Sequence, residues 1–325
     1  MWSRGGMRKI FQTLMVLTAT LGVRALCAQD SQMIYIGGPT GFNFRFTQGP
    51  DGAPTPNSPG VSLGTAGSFS ILALGGSIDD SGPTGPDASP HTVAGNVGVV
   101  TSGQKFQASG SVTYGGSVYL HSGVTYNSSA NGVPQPTMNA SVDSMLNQAK
   151  TDALNASAAA TALGQNPTAS YGTINSSLSI TEANAGNFVF DITGVNFSGG
   201  KILTLSAPAG STYILNITSA LVLTGGSIVV AGGLTAGDVL INYTGTADVR
   251  FSGGGNSSRV YGTILAPNAA VKISPGYVGG AVIADSVTMS SGANVVPEAP
   301  TTALLLFGGL LAAGVRLRFR GARSR

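Results

Sequence analysis

The chain has almost no cysteine: Cys27 is the single one among 325 residues, so no intramolecular disulfide can staple the fold. Histidine is nearly as scarce. His91 lies in a proline-rich loop and His121 at the end of a strand, neither has a sequence partner, and zinc-ligand spacings are absent. No glycine-rich phosphate loop leads into a helix, and no Gly-x-Ser-x-Gly elbow stands in a strand-to-helix context. The pattern therefore predicts no catalytic residue, no cofactor and no metal. Charged residues are also few, at 9%. Low charge with 48 glycines could mean disorder, yet sustained runs of β-branched and aliphatic residues point to a folded, β-rich chain with a sizeable core.

The formal charge of +3 and pI near 9.1 belong to the two ends. Between Gln29 and Val296 there are 7 basic residues against 12 acidic ones, a balance of −5. A nucleic-acid partner loses its electrostatic support on that count.

Residues 1–28 have the three-part layout of a secretory signal peptide: Arg4, Arg8 and Lys9, the apolar run from Ile10 to Val23, then Ala25-Leu-Cys-Ala28. Cleavage by signal peptidase is expected after Ala28, and the mature chain would then hold no cysteine. An uncleaved anchor is the alternative, although the apolar run is short of the ~20 residues of a spanning helix. Cys27 does not sit in a lipoprotein site, because Arg24 stands where that signal wants leucine. Residues 29–60 carry short strands at Met33 to Ile36 and Phe42 to Phe46, followed by the Pro/Gly-dense stretch 49–60, which predicts a flexible lead-in.

At the other end, Val296-Pro-Glu-Ala-Pro300 precedes an apolar run from Thr301 to Val315 and then an arginine cluster. This tail, 296–325, resembles the PEP-CTERM sorting signal of bacterial exported proteins. The resemblance implies an exosortase-type sorting machinery that recognises Pro297, Glu298 and Pro300. It also implies a barely spanning C-terminal hydrophobic helix with Arg316, Arg318 and Arg320 held on the cytoplasmic side. Ala299 stands where the commonest form of the motif has proline. An ordinary C-terminal anchor helix is the alternative reading. Both place the body outside the cytoplasm: membrane-anchored first, then cell surface or extracellular after processing.

The organising stretch runs from Lys201 to Val295. Val249-Arg-Phe-Ser252, Val271-Lys-Ile-Ser274 and Val287-Thr-Met-Ser290 share one alternation. It puts Val249, Phe251, Val271, Ile273, Val287 and Met289 on one side of a strand and Arg250, Lys272 and Thr288 on the other. A second apolar strand precedes each: Val239 to Asn242, Thr263 to Ala266, Ala281 to Ala284. Such pairs recur every ~16 to 22 residues, the period of a solenoid whose units bury their apolar faces only by stacking. Further rungs are predicted at 105–108, 111–114 and 117–121, and at 177–180, 187–192 and 213–223.

A helix over 141–163 follows from Val142, Met145, Leu146, Ala149, Ala153, Ala156, Ala160 and Leu163, which form one stripe of period 3.6. Ser141 is the expected N-cap, Asp143 suits the first turn, and Gly164 and Pro167 supply the stop.

Leu63-Gly-Thr-Ala-Gly67, Phe69-Ser-Ile-Leu-Ala73, Gly82-Pro-Thr84 and Gly95-Asn-Val-Gly98 resemble the opening of the ice-binding-like family, to which choice-of-anchor A adhesin-like domains are similar. Tyr261 to Asn268 and Gly279 to Ala284 resemble the closing rungs. The resemblance spans 61–295 and implies a mainly β fold: a right-handed parallel β-solenoid, a triangular β-helix with one long α-helix packed alongside.

Function follows by elimination. Asp238, Asp248 and Asp285 with Arg250 and Lys272 come nearest to the acid-base set of a polysaccharide-active enzyme, but they are scattered over loops and strand starts. Eight Asn-x-Ser/Thr sequons, Asn216 and Asn242 among them, reflect a composition rich in these residues. The leading expectation is a non-enzymatic, adhesin-type surface protein presenting a solenoid face to extracellular matrix, polysaccharide or other surfaces. Arg250, Lys272 and Thr288 form its candidate contact face. Ice binding is the alternative, and there Arg250 and Lys272 tell against this face.

Overall fold

The computed structural model describes residues 61–84, 91–253 and 258–297. Ala28, Glu298, Pro300, Arg316, Arg318 and Arg320, with the signal peptide, the lead-in strands, the 49–60 stretch and the C-terminal helix expected from the tail, lie outside them.

Every pairing between strands is parallel, and strand follows strand in a stack. One edge-to-edge path holds Val118–Leu120, Asn96–Val99, Phe69–Ala73, Val282–Ser290, Thr263–Ser274, Val239–Tyr243, Thr212–Thr224, Asn187–Ser198 and Ala169–Ile174, in that spatial order. The first three belong to the chain's N-terminal part, and they sit on top of its last tier rather than beside its next one. Ile71 pairs with Val282 and Ala73 with Ala284.

Each complete tier turns through three faces. Long strands carry the first two, bending where the register shifts, between Ile192 and Gly194 and between Ala266 and Ala270. A separate eight-stranded sheet, from Leu178–Thr181 through Asn294–Val295 to Val112–Tyr114, makes the third. Period-2 alternation points Phe190, Leu215, Ile241, Ile264, Val282, Ile71 and Val97 into one continuous apolar interior.

The helix Ala140–Leu163 lies on the first face. At about 1.5 Å per residue its 24 residues span roughly 36 Å, about the height of nine strands spaced ~4.8 Å apart. One helix can thus return the chain from one end of the stack to the other. Its stripe is as expected: Val142, Leu146, Ala149, Ala153, Ala156 and Ala160 are buried against Leu72, Ile214, Leu240, Leu265 and Ile283. Alanine on four turns brings the helix axis close to the sheet.

The cap differs from expectation. Asn139, not Ser141, is the N-cap, its side chain accepting from the Val142 amide at 3.0 Å. Asp143 is recruited sideways: its carboxylate accepts from the Ser122 amide at 2.8 Å and hydroxyl at 2.7 Å, which holds its pKa down.

Helix and sheet are also joined by a buried amide chain. The Ser157 hydroxyl donates to Asn242 Oδ1 (2.7 Å), Asn242 Nδ2 donates to Asn216 Oδ1 (2.8 Å), and Asn216 Nδ2 donates to the Ala160 carbonyl (2.9 Å) and to Asp191 Oδ1 (3.1 Å). Asn216 and Asn242 are buried, so these two sequons are structural.

His91 is a correction. It opens the strand His91–Val93 and is fully buried. Its Nδ1 lies 2.7 Å from Asp80 Oδ1, its Nε2 accepts from the Gly292 amide at 2.7 Å, and the Tyr114 hydroxyl donates to Asp80 Oδ2 at 2.8 Å. Since Nε2 accepts, Nδ1 carries the proton toward Asp80. Burial, followed by the Asp80 charge, raises the Tyr114 pKa well above its usual value. The group ties the N-terminal tier to the C-terminal one.

Candidate contact surface

Two strand positions project outward on the second face, and parallel register converts each into a column running up the stack. One column is Asn196, Val222, Arg250, Lys272, Thr288, Asp79, Gln107 and Asn127, each paired with the next. The three residues singled out from sequence therefore occupy adjacent tiers of one column.

They are not three independent charges. Asp248, two residues before Arg250, accepts from Arg250 Nη2 at 2.9 Å and from Lys272 Nζ at 2.7 Å. The Lys272 and then the Arg250 hydrogen bonds keep the Asp248 carboxyl below the ordinary carboxylate range. One acid thus holds two exposed cations, and the triplet presents a net positive spot. Asp238 takes no part, accepting instead from the Thr235 amide and hydroxyl at a turn. Among the described residues no group of three or more acidic, histidine or cysteine side chains could hold a metal.

The neighbouring column was missed from sequence. Ser198, Thr224, Ser252 and Ser274 follow by register; Ser290 donates to Ser274 at 2.6 Å and is followed by Ser81 and Ser109. Seven successive tiers carry a hydroxyl at this position, ~4.8 Å apart. The signal was present as a hydroxyl residue ending each apolar-x-apolar strand piece, but only register shows that those endings align. The column flanks Arg250 and Lys272 along the whole face.

The other two faces differ. The first is covered by the helix. The third carries Tyr261 and Tyr277, with ring centroids 5.8 Å apart, beside Arg259.

A family model described as an ice-binding-like adhesive domain matches residues 60–295. Among solved structures, the chain is similar to an ice-binding protein of the Antarctic ascomycete Antarctomyces psychrotrophicus, with 22% identity, a TM-score of 0.50, and coverage of 74% of this chain and 98% of that one. It is likewise similar to an ice-binding protein of an Arctic yeast, with 18% identity, a TM-score of 0.50, and coverage of 74% and 95%. At these identities the likeness shows the fold. No curated protein matches.

Proposed function

The chain belongs to the family of ice-binding-like adhesive domains, and from that premise we propose that it is an exported, non-enzymatic adhesin-type protein whose second face holds hydrated polymer surfaces. The observation that carries the reading is the hydroxyl column from Ser198 to Ser109 running beside the Arg250 and Lys272 cations. Hydroxyls at a fixed repeat exchange weak hydrogen bonds with a polyhydroxylated chain, and many such contacts add along a rigid stack. The paired cations favour polysaccharides that bear carboxylates. In this reading the N-terminal segment directs export, and the tail from Pro297 engages sorting machinery and the membrane until it is processed.

Ice binding is the second reading, favoured by the same evenly spaced hydroxyls and by the family. A guanidinium, an ammonium and the carboxylates of Asp248 and Asp79 stand on that face, and strongly hydrated charges oppose ordered water at a flat surface. Retention on immobilised polysaccharides, run beside ice-recrystallisation inhibition, separates the two. The adhesive reading expects retention of the full chain on uronate-containing polymers and its loss in Lys272→Ala with Arg250→Ala. Recrystallisation inhibition without retention would replace it.

A further inference from the structure

The end of the helix contradicts a general electrostatic rule. A helix C-terminus carries partial negative charge and attracts cations, yet Ala140–Leu163 has no basic residue in its last turn. Packed on that end are the carboxylate of Asp191 and the amide of Asn216, which donates to the Ala160 carbonyl. A Cβ placed on Gly164 would lie within van der Waals overlap of both Asp191 oxygens, so a glycine at this point is what lets the acid approach. Asp191 is also the terminal acceptor of the amide chain from Ser157 through Asn242 and Asn216. An asparagine would accept that bond as well, so the charge is surplus to the structural need.

The same carboxylate opens on a cavity of about 280 Å³ at the corner of the first and second faces, near the lower end of the size range of small-molecule sites. Thr193, Thr218 and Thr244, one per tier, line it with Asp191, and no Lys, Arg or His does. The Asp191 carboxylate thus faces the cavity beside a helix C-terminus, without a counter-charge in its wall.

We propose that this cavity binds a protonated amino sugar. The ammonium would pair with Asp191 at the helix end, and the threonine hydroxyls would meet the hydroxyls of the sugar. A metal ion fits less well: one carboxylate is far from the six to eight oxygens a calcium site assembles, and the space is much larger than an ion. The proposal is independent of the adhesive reading, since neither Arg250 nor Lys272 lines the cavity.

Calorimetric titration of the full chain at about pH 6.5, where a sugar amine is protonated, tests it with glucosamine, glucose, N-acetylglucosamine and calcium chloride as separate ligands. Glucosamine is expected to bind at least tenfold more tightly than either neutral sugar. Asp191→Asn should abolish that preference while leaving the melting temperature unchanged or raised, because it removes a charge from the wrong end of a helix. Thr218→Val, on the exposed rim, should weaken binding without unfolding the protein. Lys272→Ala, which weakens polymer retention in the adhesive reading, should leave glucosamine binding intact. Equal binding of all three sugars, no sugar binding, tight calcium binding in place of glucosamine, or a lowered melting temperature in Asp191→Asn would each overturn the proposal.

Discussion

The strand Thr263–Ser274 shows two kinds of surface within 12 residues. Up to Ala266 every residue is buried, because the outward side chain Leu265 lies under the helix while Ile264 points inward. After the register shift at Ala266/Ala270 the strand alternates: Val271 and Ile273 stay inside, and Lys272 and Ser274 face solvent. Backbone and pairing are the same on both stretches. Outward chemistry alone decides which face recruits the protein's own helix and which is left to solvent.

That contrast can be broken most severely from the helix side. Leu265→Ala should cost about 2 to 5 kcal/mol, since the helix cannot collapse evenly onto the gap, and denaturant unfolding measures it. Ala153→Leu tests the opposite fault at the same interface: overpacking at a fully buried alanine should cost about 1 to 3 kcal/mol. The interior answers to high pH. Burial is the main cause pushing Tyr213 up to about 12 from 10.0. The unfolded chain therefore ionises there first, and stability that is intact below about pH 10 should fall as pH rises towards 12. Tyr213→Phe should reduce the slope of that limb in a pH-melting profile, the remainder coming from Tyr114 and Tyr243.

The second face should respond far less. The lowered pKa of Asp248 means its contribution is present at neutral pH and is lost as pH falls through the folded value, below about pH 4. At a largely exposed site the pair is worth no more than about 1 kcal/mol, so Asp248→Asn should shift the denaturation midpoint slightly and shrink the acid limb, to which Asp143 also contributes. Smallest of all, Thr288→Val should change stability by less than about 0.5 kcal/mol. A large loss there would erase the distinction between the faces.

Much of this was legible in the sequence. The strand pieces at Val249, Val271 and Val287, the apolar strands before them and the alanine stripe appear where periodicity put them. The third face was legible only at its two ends, in the rungs at 111–114 and 177–180; between them Arg259–Tyr261, Tyr277–Gly279 and Asn294–Val295 are two or three residues long, too short for alternation to register. His91 was misplaced for a related reason. Its partners Asp80 and Gly292 lie 11 and 201 residues away, and neither separation follows a local rule. The outward triplet was visible, whereas the hydroxyl column required knowing which residues stack.

The placement of the N-terminal tiers on the C-terminal one has a kinetic consequence. An array of repeats can fold from any point and fray from its ends. Here the middle of the stack is a junction between Phe69–Ala73 and Val282–Ser290, strands separated by most of the domain. Neither part can complete that junction until the other is present, and closing so large a loop is slow. The domain should therefore unfold as one unit rather than tier by tier, and truncation at either border would open the stack at its centre instead of shortening it.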